Sequence, residues 1–155
     1  MLVAPFDAAA ALGLSAAGLL FLIGLVTGVW KYAQIRASAD STASAHPYVD
    51  IAHRAALLYS FAALLLACFA QLSALDAQLE VVAISAPLLF FLLAVGGYVL
   101  HGLLRDTDNQ LRRPHRLGTR QLPNAAITTF MSALIVAEIG GFLVLFYGAL
   151  RALWC

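Results

Sequence analysis

Four long apolar runs constrain the fold of this chain more than any other feature. They cover residues 8–30, 55–74, 81–100 and 122–150, and the only charged residue within them is Glu138 in the last run. A helix needs about 20 residues to cross a hydrocarbon core of about 30 Å, and each run reaches that length. With 63% hydrophobic and only 11% charged residues, the composition excludes a water-soluble globule.

The unbroken apolar character of the runs favours helices over the alternating strands of a membrane β-barrel. The sequence therefore predicts an all-α integral membrane four-helix bundle. We expect residues 1–155 to form a single domain, with spans at about 8–32, 48–73, 80–104 and 123–151. The N-terminal segment lacks the basic region of a cleavable signal peptide, which predicts that the first span is retained.

The basic residues predict the orientation of the bundle. Eight of the nine lie in the first and third connections, and only Arg151 lies on the opposite side. By the positive-inside rule, loops one and three are cytoplasmic and both termini are outside, as in a multi-pass protein of a bacterial-type inner (plasma) membrane. Because these cations act as topology signals, we expect membrane lipid and no nucleic acid as a partner.

Polar side chains collect at the start of the second span, in "AHPYVDIAHRAALLYS" at positions 45–60. The predicted topology places His53 of this stretch and His101, late in span three, at similar depth near the cytoplasmic boundary. Ala56 and Ser60 follow His53 at i+3 and i+7, so one face of the helix is small there.

Span three repeats this arrangement, because Gly97 and Ala94 precede His101 by four and seven residues. A histidine with small residues on its membrane side suits haem, whose iron takes an axial imidazole. Small residues on membrane helices also mediate helix packing, and interfacial histidines often only donate or accept hydrogen bonds. Both interpretations stay open from spacing alone.

Charged residues near His53 have two possible roles. Arg54, Arg105 or Lys31 could pair with haem propionates on the water side. Asp50, three residues before His53, could orient the imidazole or pair with Arg54 at i+4.

Glu138 is the one acid inside an apolar run, and an intramembrane carboxylate marks either a functional site or a polar helix contact. Its distance from Pro123 predicts a position in the outer half of the membrane, far from the histidines. We expect a structural contact with Gln71 or Tyr147.

The third loop contains the acidic stretch "RDTDNQ". Asp106, Asp108 and Asn109 are expected to act as turn and capping groups among the arginines. His46 and His115 are expected to be solvated in their loops.

The order of these features resembles the styrene oxide isomerase family of small four-helix membrane proteins. The shared features are a glycine-rich first span, an "AH" pair followed by "RAALLYSFAALLL", and "VGGYVL" late in span three, spread over most of the chain. The resemblance implies a b-type haem held between the subunits of a trimer, with an apolar epoxide as substrate.

By this resemblance, His53 in "IAHRAALL" is the axial iron ligand and Tyr98 in "VGGY" lies at the active site. In the family, ferric haem acts as a Lewis acid on the epoxide oxygen and the ring opens toward a carbonyl product. The family has asparagines at the positions of Tyr59 and Ala94. The resemblance therefore supports haem binding at His53 better than it supports isomerisation.

Three hypotheses follow from the sequence. The first is a haem-dependent epoxide isomerase, which is an intramolecular oxidoreductase. Its catalytic candidates are Tyr98 and Tyr59. Its candidates for binding the cofactor are His53, Arg54, His101, Ser60 and Gly97. The second is a membrane haem protein for electron transfer, haem handling or sensing, in which His101 or Tyr59 closes the sixth iron position. The third is a cofactor-free membrane assembly module. Glycine and alanine faces also predict self-association into a homo-oligomer.

Overall fold

The computed structural model describes residues 6–38 and 44–154, and four long helices make up most of them. They are α1 (Ala8–Ala37), α2 (Pro47–Leu72), α3 (Ala77–Leu104) and α4 (Asn124–Trp154). Each helix is long and apolar enough to span a membrane. The predicted all-α four-helix membrane bundle is confirmed, and the chain is a multi-pass membrane protein.

Local sequence explains where the helices begin and end. The Asp7 carboxylate accepts a hydrogen bond from the Ala10 N–H at 2.6 Å, and Asp76 caps α3 in the same way. Helix α1 continues to Ala37, five residues past the predicted end at 32, because the residues after Tyr32 contain no helix breaker.

Helices α1, α2 and α3 meet at small residues. A Cβ atom on Gly13 of α1 would lie 2.8 Å from both the Ala67 Cβ of α2 and the Ile84 Cδ1 of α3. Only glycine allows this three-helix contact without displacement, and Ile84 is completely buried there. The core of the bundle therefore lies among these three helices.

Helix α4 is deeply buried against the bundle only in its second half. Its buried residues are Gly141, Leu145, Gly148 and Ala149, and its first half contributes none. A Cβ on Gly141 would clash with the Ala83 carbonyl oxygen and approach the Pro87 Cδ to 2.7 Å, so the contact with α3 is tight at that point. Toward the start of α4 the two helices separate and leave a cavity.

The third loop is folded rather than extended. Strands β1 (Arg116–Leu117) and β2 (Arg120–Gln121) form a short antiparallel hairpin, and Gly118 occupies its turn with a φ of +59°. The phenol oxygen of Tyr48 in α2 accepts a hydrogen bond from the Gln110 N–H. This bond holds the loop over the ends of α2 and α3.

Candidate functional site

The imidazole of His53 is bound to the backbone of α1. Its Nδ1 lies 2.8 Å from the carbonyl oxygen of Gly24, and the side chain is half-buried. Gly28, one turn further along α1, leaves room for the ring, because a Cβ there would lie 2.9 Å from the His53 Cε1. The small residues of "GLVTG" thus allow the imidazole to enter between α1 and α2.

This contact fixes the tautomer of His53. A carbonyl oxygen can only accept a hydrogen bond, so Nδ1 must carry the proton. In the neutral imidazole, the lone pair then belongs to Nε2, which makes no hydrogen bond within residues 6–38 and 44–154. Histidines that bind metals are commonly oriented in this way, by donation from the other ring nitrogen to a backbone carbonyl.

The small residues that follow His53 on α2 do not form an open strip. Ala56 is completely buried and Ser60 is 4% exposed, with the Ser60 hydroxyl donating to the Leu57 carbonyl at 2.6 Å. His53 itself faces α1 rather than α3. On α2 the small residues allow close helix packing, so Ser60 is not available to a cofactor.

Asp50 pairs with cations and does not orient His53. Its carboxylate lies 2.5 Å from the Lys31 ammonium of α1 and 2.7 Å from the Arg54 guanidinium at i+4. Of the two roles predicted for Asp50, the ion pair is confirmed. The resulting cluster of Lys31, Asp50 and Arg54 lies about one turn from His53 on the predicted cytoplasmic side.

A cavity of about 360 Å³ separates α3 from the first half of α4. Tyr59, Ala94, Gly97, Tyr98 and His101 line it together. Apart from the backbone of α3 itself, no atom of the described residues lies within 4 Å of the position that a Gly97 Cβ would take, so the small residue leaves space beside His101. Four of the predicted site residues, Tyr59, Gly97, Tyr98 and His101, therefore share one cavity.

His101 forms a buried pair with Asp106 at the loop end of this cavity. Its Nδ1 lies 2.8 Å from the Asp106 Oδ1, and the two side chains are 8% and 5% exposed. The other carboxylate oxygen accepts the Gly118 N–H at 2.5 Å, and the Tyr48 ring packs on the imidazole with centroids 5.0 Å apart.

The environment of Asp106 favours its charged form. Burial raises the pKa of the Asp106 carboxyl, but the hydrogen bonds from His101 and Gly118 outweigh burial, and the pKa lies below its ordinary value. Asp106 is thus an anion that holds the imidazole in one orientation.

The tyrosines of the cavity are held by other rings. Tyr59 stacks on Phe91 of α3, with centroids 4.4 Å apart and ring planes 12° from parallel. Tyr98 stacks on Tyr48 at 6.1 Å. Both phenols therefore have positions fixed by packing, as a binding site requires.

Glu138 does not make the contacts predicted for it. Gln71 accepts instead from the Asp7 N–H at 3.4 Å, and the Glu138 Oε1 is buried without a hydrogen-bond partner in the described part of the chain. The prediction that Gln71 or Tyr147 binds Glu138 is therefore wrong.

Sequence reasoning missed the roles of Asp106 and His115. Asp106 is not a turn group but the partner of His101, whereas Asp108 pairs with Arg112 at 3.0 Å as expected of an exposed loop acid. His115 is 6% exposed and donates to the Gln110 carbonyl, and His46 accepts the Tyr48 N–H at the start of α2. The expectation that His115 is solvated is wrong, whereas His46 keeps part of its surface exposed.

The predicted site residues thus fall into two places. His53 and Arg54 lie at the contact between α1 and α2, whereas Tyr59, Tyr98 and His101 lie around the cavity between α3 and α4. The described segments hold no group of three or more His, Cys, Asp or Glu side chains that could bind a bare metal ion.

Comparisons with protein-family models, curated proteins and solved structures found no match.

Proposed function

We propose that this protein binds haem b in a bacterial-type plasma membrane, with Nε2 of His53 as an axial ligand. The observation that carries the proposal is the hydrogen bond from His53 Nδ1 to the Gly24 carbonyl. It leaves the lone pair on Nε2, the form of imidazole that binds iron, and fixes the ring. A half-buried side chain at the edge of the bundle also suits a haem shared with another copy in a homo-oligomer, a trimer by the family resemblance.

The charge cluster near His53 supports the same proposal. Arg54 has 65% of its side chain exposed, and Lys31 has 33% exposed, although both contact Asp50. Two cations against one acid leave a net positive charge where propionates would face water. Lys31 and Arg54 are therefore the residues that would hold the propionates.

Visible spectroscopy tests haem binding directly. We expect the protein, purified in mild detergent with haemin added, to give a Soret band at one haem per chain, and His53→Ala to lose it. His46→Ala is the matched control, because His46 belongs to the same stretch but accepts a hydrogen bond at the start of α2. A wild-type protein without a Soret band would leave the cofactor-free assembly module as the surviving hypothesis.

Isomerisation of an apolar epoxide is the second candidate function, and the cavity that Tyr59 and Tyr98 share favours it. When bound, ferric haem would supply a Lewis acid. The chain itself would supply fixed phenol groups to orient the epoxide oxygen and apolar walls that exclude water. Because His53 faces α1 in its own chain, this function requires that the haem of one copy reach the cavity of a neighbouring copy.

Product analysis separates the enzyme from a non-catalytic haem protein. The haem-loaded protein is given an aryl epoxide, and the aldehyde is quantified against free haemin at the same concentration. We expect Tyr98→Phe to keep the Soret band and lose most of the aldehyde formation. Aldehyde formation no faster than with free haemin would favour electron transfer, haem handling or sensing.

A further inference from the structure

We infer that the cavity between α3 and α4 binds a small apolar molecule with one hydroxyl group, which donates its hydrogen bond to Nε2 of His101. The inference goes beyond haem binding at His53 and does not depend on it. It rests on the buried pair of His101 and Asp106 and on the shape of the cavity beside them.

The pair determines which hydrogen bond His101 can offer. Asp106 accepts at both carboxylate oxygens, from His101 Nδ1 at 2.8 Å and from the Gly118 N–H. A carboxylate in its charged form accepts only, so Nδ1 is the protonated nitrogen. The neutral imidazole then presents Nε2 as an acceptor.

The surroundings of His101 leave Nε2 without a protein partner. The imidazole packs against the Tyr48 ring on one side and lines the cavity. Nε2 makes no hydrogen bond to any described residue, and it is accessible rather than completely buried. An acceptor that lines an apolar cavity without a protein partner favours a ligand that supplies a donor, so such a ligand gains affinity there.

The cavity selects for a small apolar body. Its volume of about 360 Å³ falls within the range of roughly 300–1,000 Å³ typical of small-molecule sites. Leu93 and the first half of α4, through Phe130, Met131 and Leu134, form its apolar wall. A molecule with a single ring and one hydroxyl group therefore supplies both the hydrogen-bond donor and the apolar surface that fit this cavity.

Fluorine NMR with matched probes tests the inference. The protein is placed in lipid nanodiscs at about pH 8, where imidazoles are ordinarily neutral, and titrated with 4-fluorophenol or with 4-fluoroanisole, in which a methyl group replaces the hydroxyl proton. Protein-free nanodiscs correct for partition into lipid. We expect saturable binding of the phenol, about tenfold tighter than the methyl ether.

The variant Asp106→Asn tests whether Asp106 sets the protonated nitrogen of His101. A purely structural role of Asp106 would not change which probe binds more tightly. The carbonyl oxygen of the new side-chain amide would keep the Gly118 hydrogen bond, and the amide N–H would donate to His101 Nδ1. The proton would then move to Nε2, which becomes a donor. We expect the preference for 4-fluorophenol to disappear and 4-fluoroacetophenone, a pure acceptor, to bind more tightly than to wild type.

Other outcomes would overturn the inference. Equal affinity for the phenol and its methyl ether would remove the role of His101, and tighter binding of 4-fluorobenzoate would indicate a cationic pair that binds anions. The His53→Ala variant is expected to bind 4-fluorophenol as wild type does. A failure of haem binding therefore leaves this test intact, and a failure here leaves the haem proposal intact.

Discussion

Gly28 provides the space that the imidazole of His53 occupies. A Cβ on Gly28 would lie 2.9 Å from the Cε1 of His53 and 3.0 Å from its Nδ1. Gly24, one turn earlier on α1, accepts the hydrogen bond from that same Nδ1. Two glycines of a single helix therefore set both the position and the tautomer of the histidine.

The variant Gly28→Ala should displace the imidazole and impair haem binding. The added methyl group meets the far end of a side chain, so the ring can move at little cost, and alanine is favoured over glycine within a helix by about 1 kcal/mol. We expect a folded protein with stability within about 1 kcal/mol of wild type but with haem affinity at least about tenfold weaker. Haemin titration followed by the Soret band measures the change.

The control for this variant is Gly18→Ala on the same helix. Apart from the backbone of α1 itself, no atom of the described segments lies within 4 Å of the position of a Gly18 Cβ, so the haem affinity of this variant should equal that of wild type. Unchanged haem binding in Gly28→Ala would show that the imidazole position is not important for the cofactor.

The variant Gly141→Ala should weaken the packing of α4 on α3. Its new methyl group would clash with the Ala83 backbone oxygen, which cannot move independently of the helix, and with the Pro87 ring. Overpacking of this kind costs about 1–3 kcal/mol. Unfolding followed by loss of helical signal in mixed micelles of SDS and nonionic detergent measures the change.

Gly140 is the adjacent matched control. A Cβ at Gly140 would meet no described neighbour within 4 Å, so Gly140→Ala should leave the free energy of unfolding unchanged or raise it by up to about 1 kcal/mol. If both variants had equal stability, α4 would not contact α3 at this point.

Asp106 should make the stability of the protein depend on acid pH. Burial raises the pKa of Asp106, but the hydrogen bonds from His101 and Gly118 lower it by more than burial raises it. The folded-state pKa therefore lies below the ordinary value of 3.8. When the pKa of an acid is lower in the folded state than in the unfolded state, the acid contributes its full stabilisation of the fold at pH values above the unfolded-state pKa. This contribution is lost as the pH falls through the folded-state pKa. The Asp106 contribution should therefore be constant from about pH 8 to pH 5 and decline below about pH 4.

Thermal unfolding of wild type and Asp106→Asn across this pH range checks the sign. We expect wild type to be more stable by about 1–3 kcal/mol near neutral pH, because the two hydrogen bonds to its buried, charged carboxylate are stronger than those of the neutral amide. The difference should shrink below about pH 4. A difference that grows on acidification would contradict the lowered pKa.

The fold could be predicted because bilayer thickness sets the length of an apolar run. The positions of Asp7 and Asp76 at helix starts agree with ordinary capping chemistry. By contrast, the sequence did not show which neighbouring helix the His53 side of α2 packs against. Side chains that face lipid and side chains that face another helix are both apolar, so periodicity gives little information about helix rotation.

The pair of His101 and Asp106 escaped prediction for a different reason. Asp106 follows α3 by two residues, in a stretch that contains many arginines together with turn-forming residues, where an exposed role is the usual one. Its burial depends on the Gly118 N–H and on the Gln110 contact with Tyr48, and both arise only when the third loop folds back. The small residue Gly97 does coincide with open space near His101, because no described neighbour fills the position of its missing side chain.

The adjacent glycines of α3 offer a test of the cavity itself. Gly97 lines the cavity, whereas Gly96 is exposed on the outer surface of the helix. An added Cβ at either position would have no neighbour within 4 Å in the part of the chain that the structure describes, the backbone of α3 apart. Gly97→Leu should fill the cavity without overpacking and abolish saturable binding of 4-fluorophenol, with the free energy of unfolding unchanged or slightly increased. Gly96→Leu should bind the probe as wild type does, because its side chain enters lipid. Equal loss of binding in the two variants would place the phenol outside this cavity, and the same nanodisc titration distinguishes the outcomes.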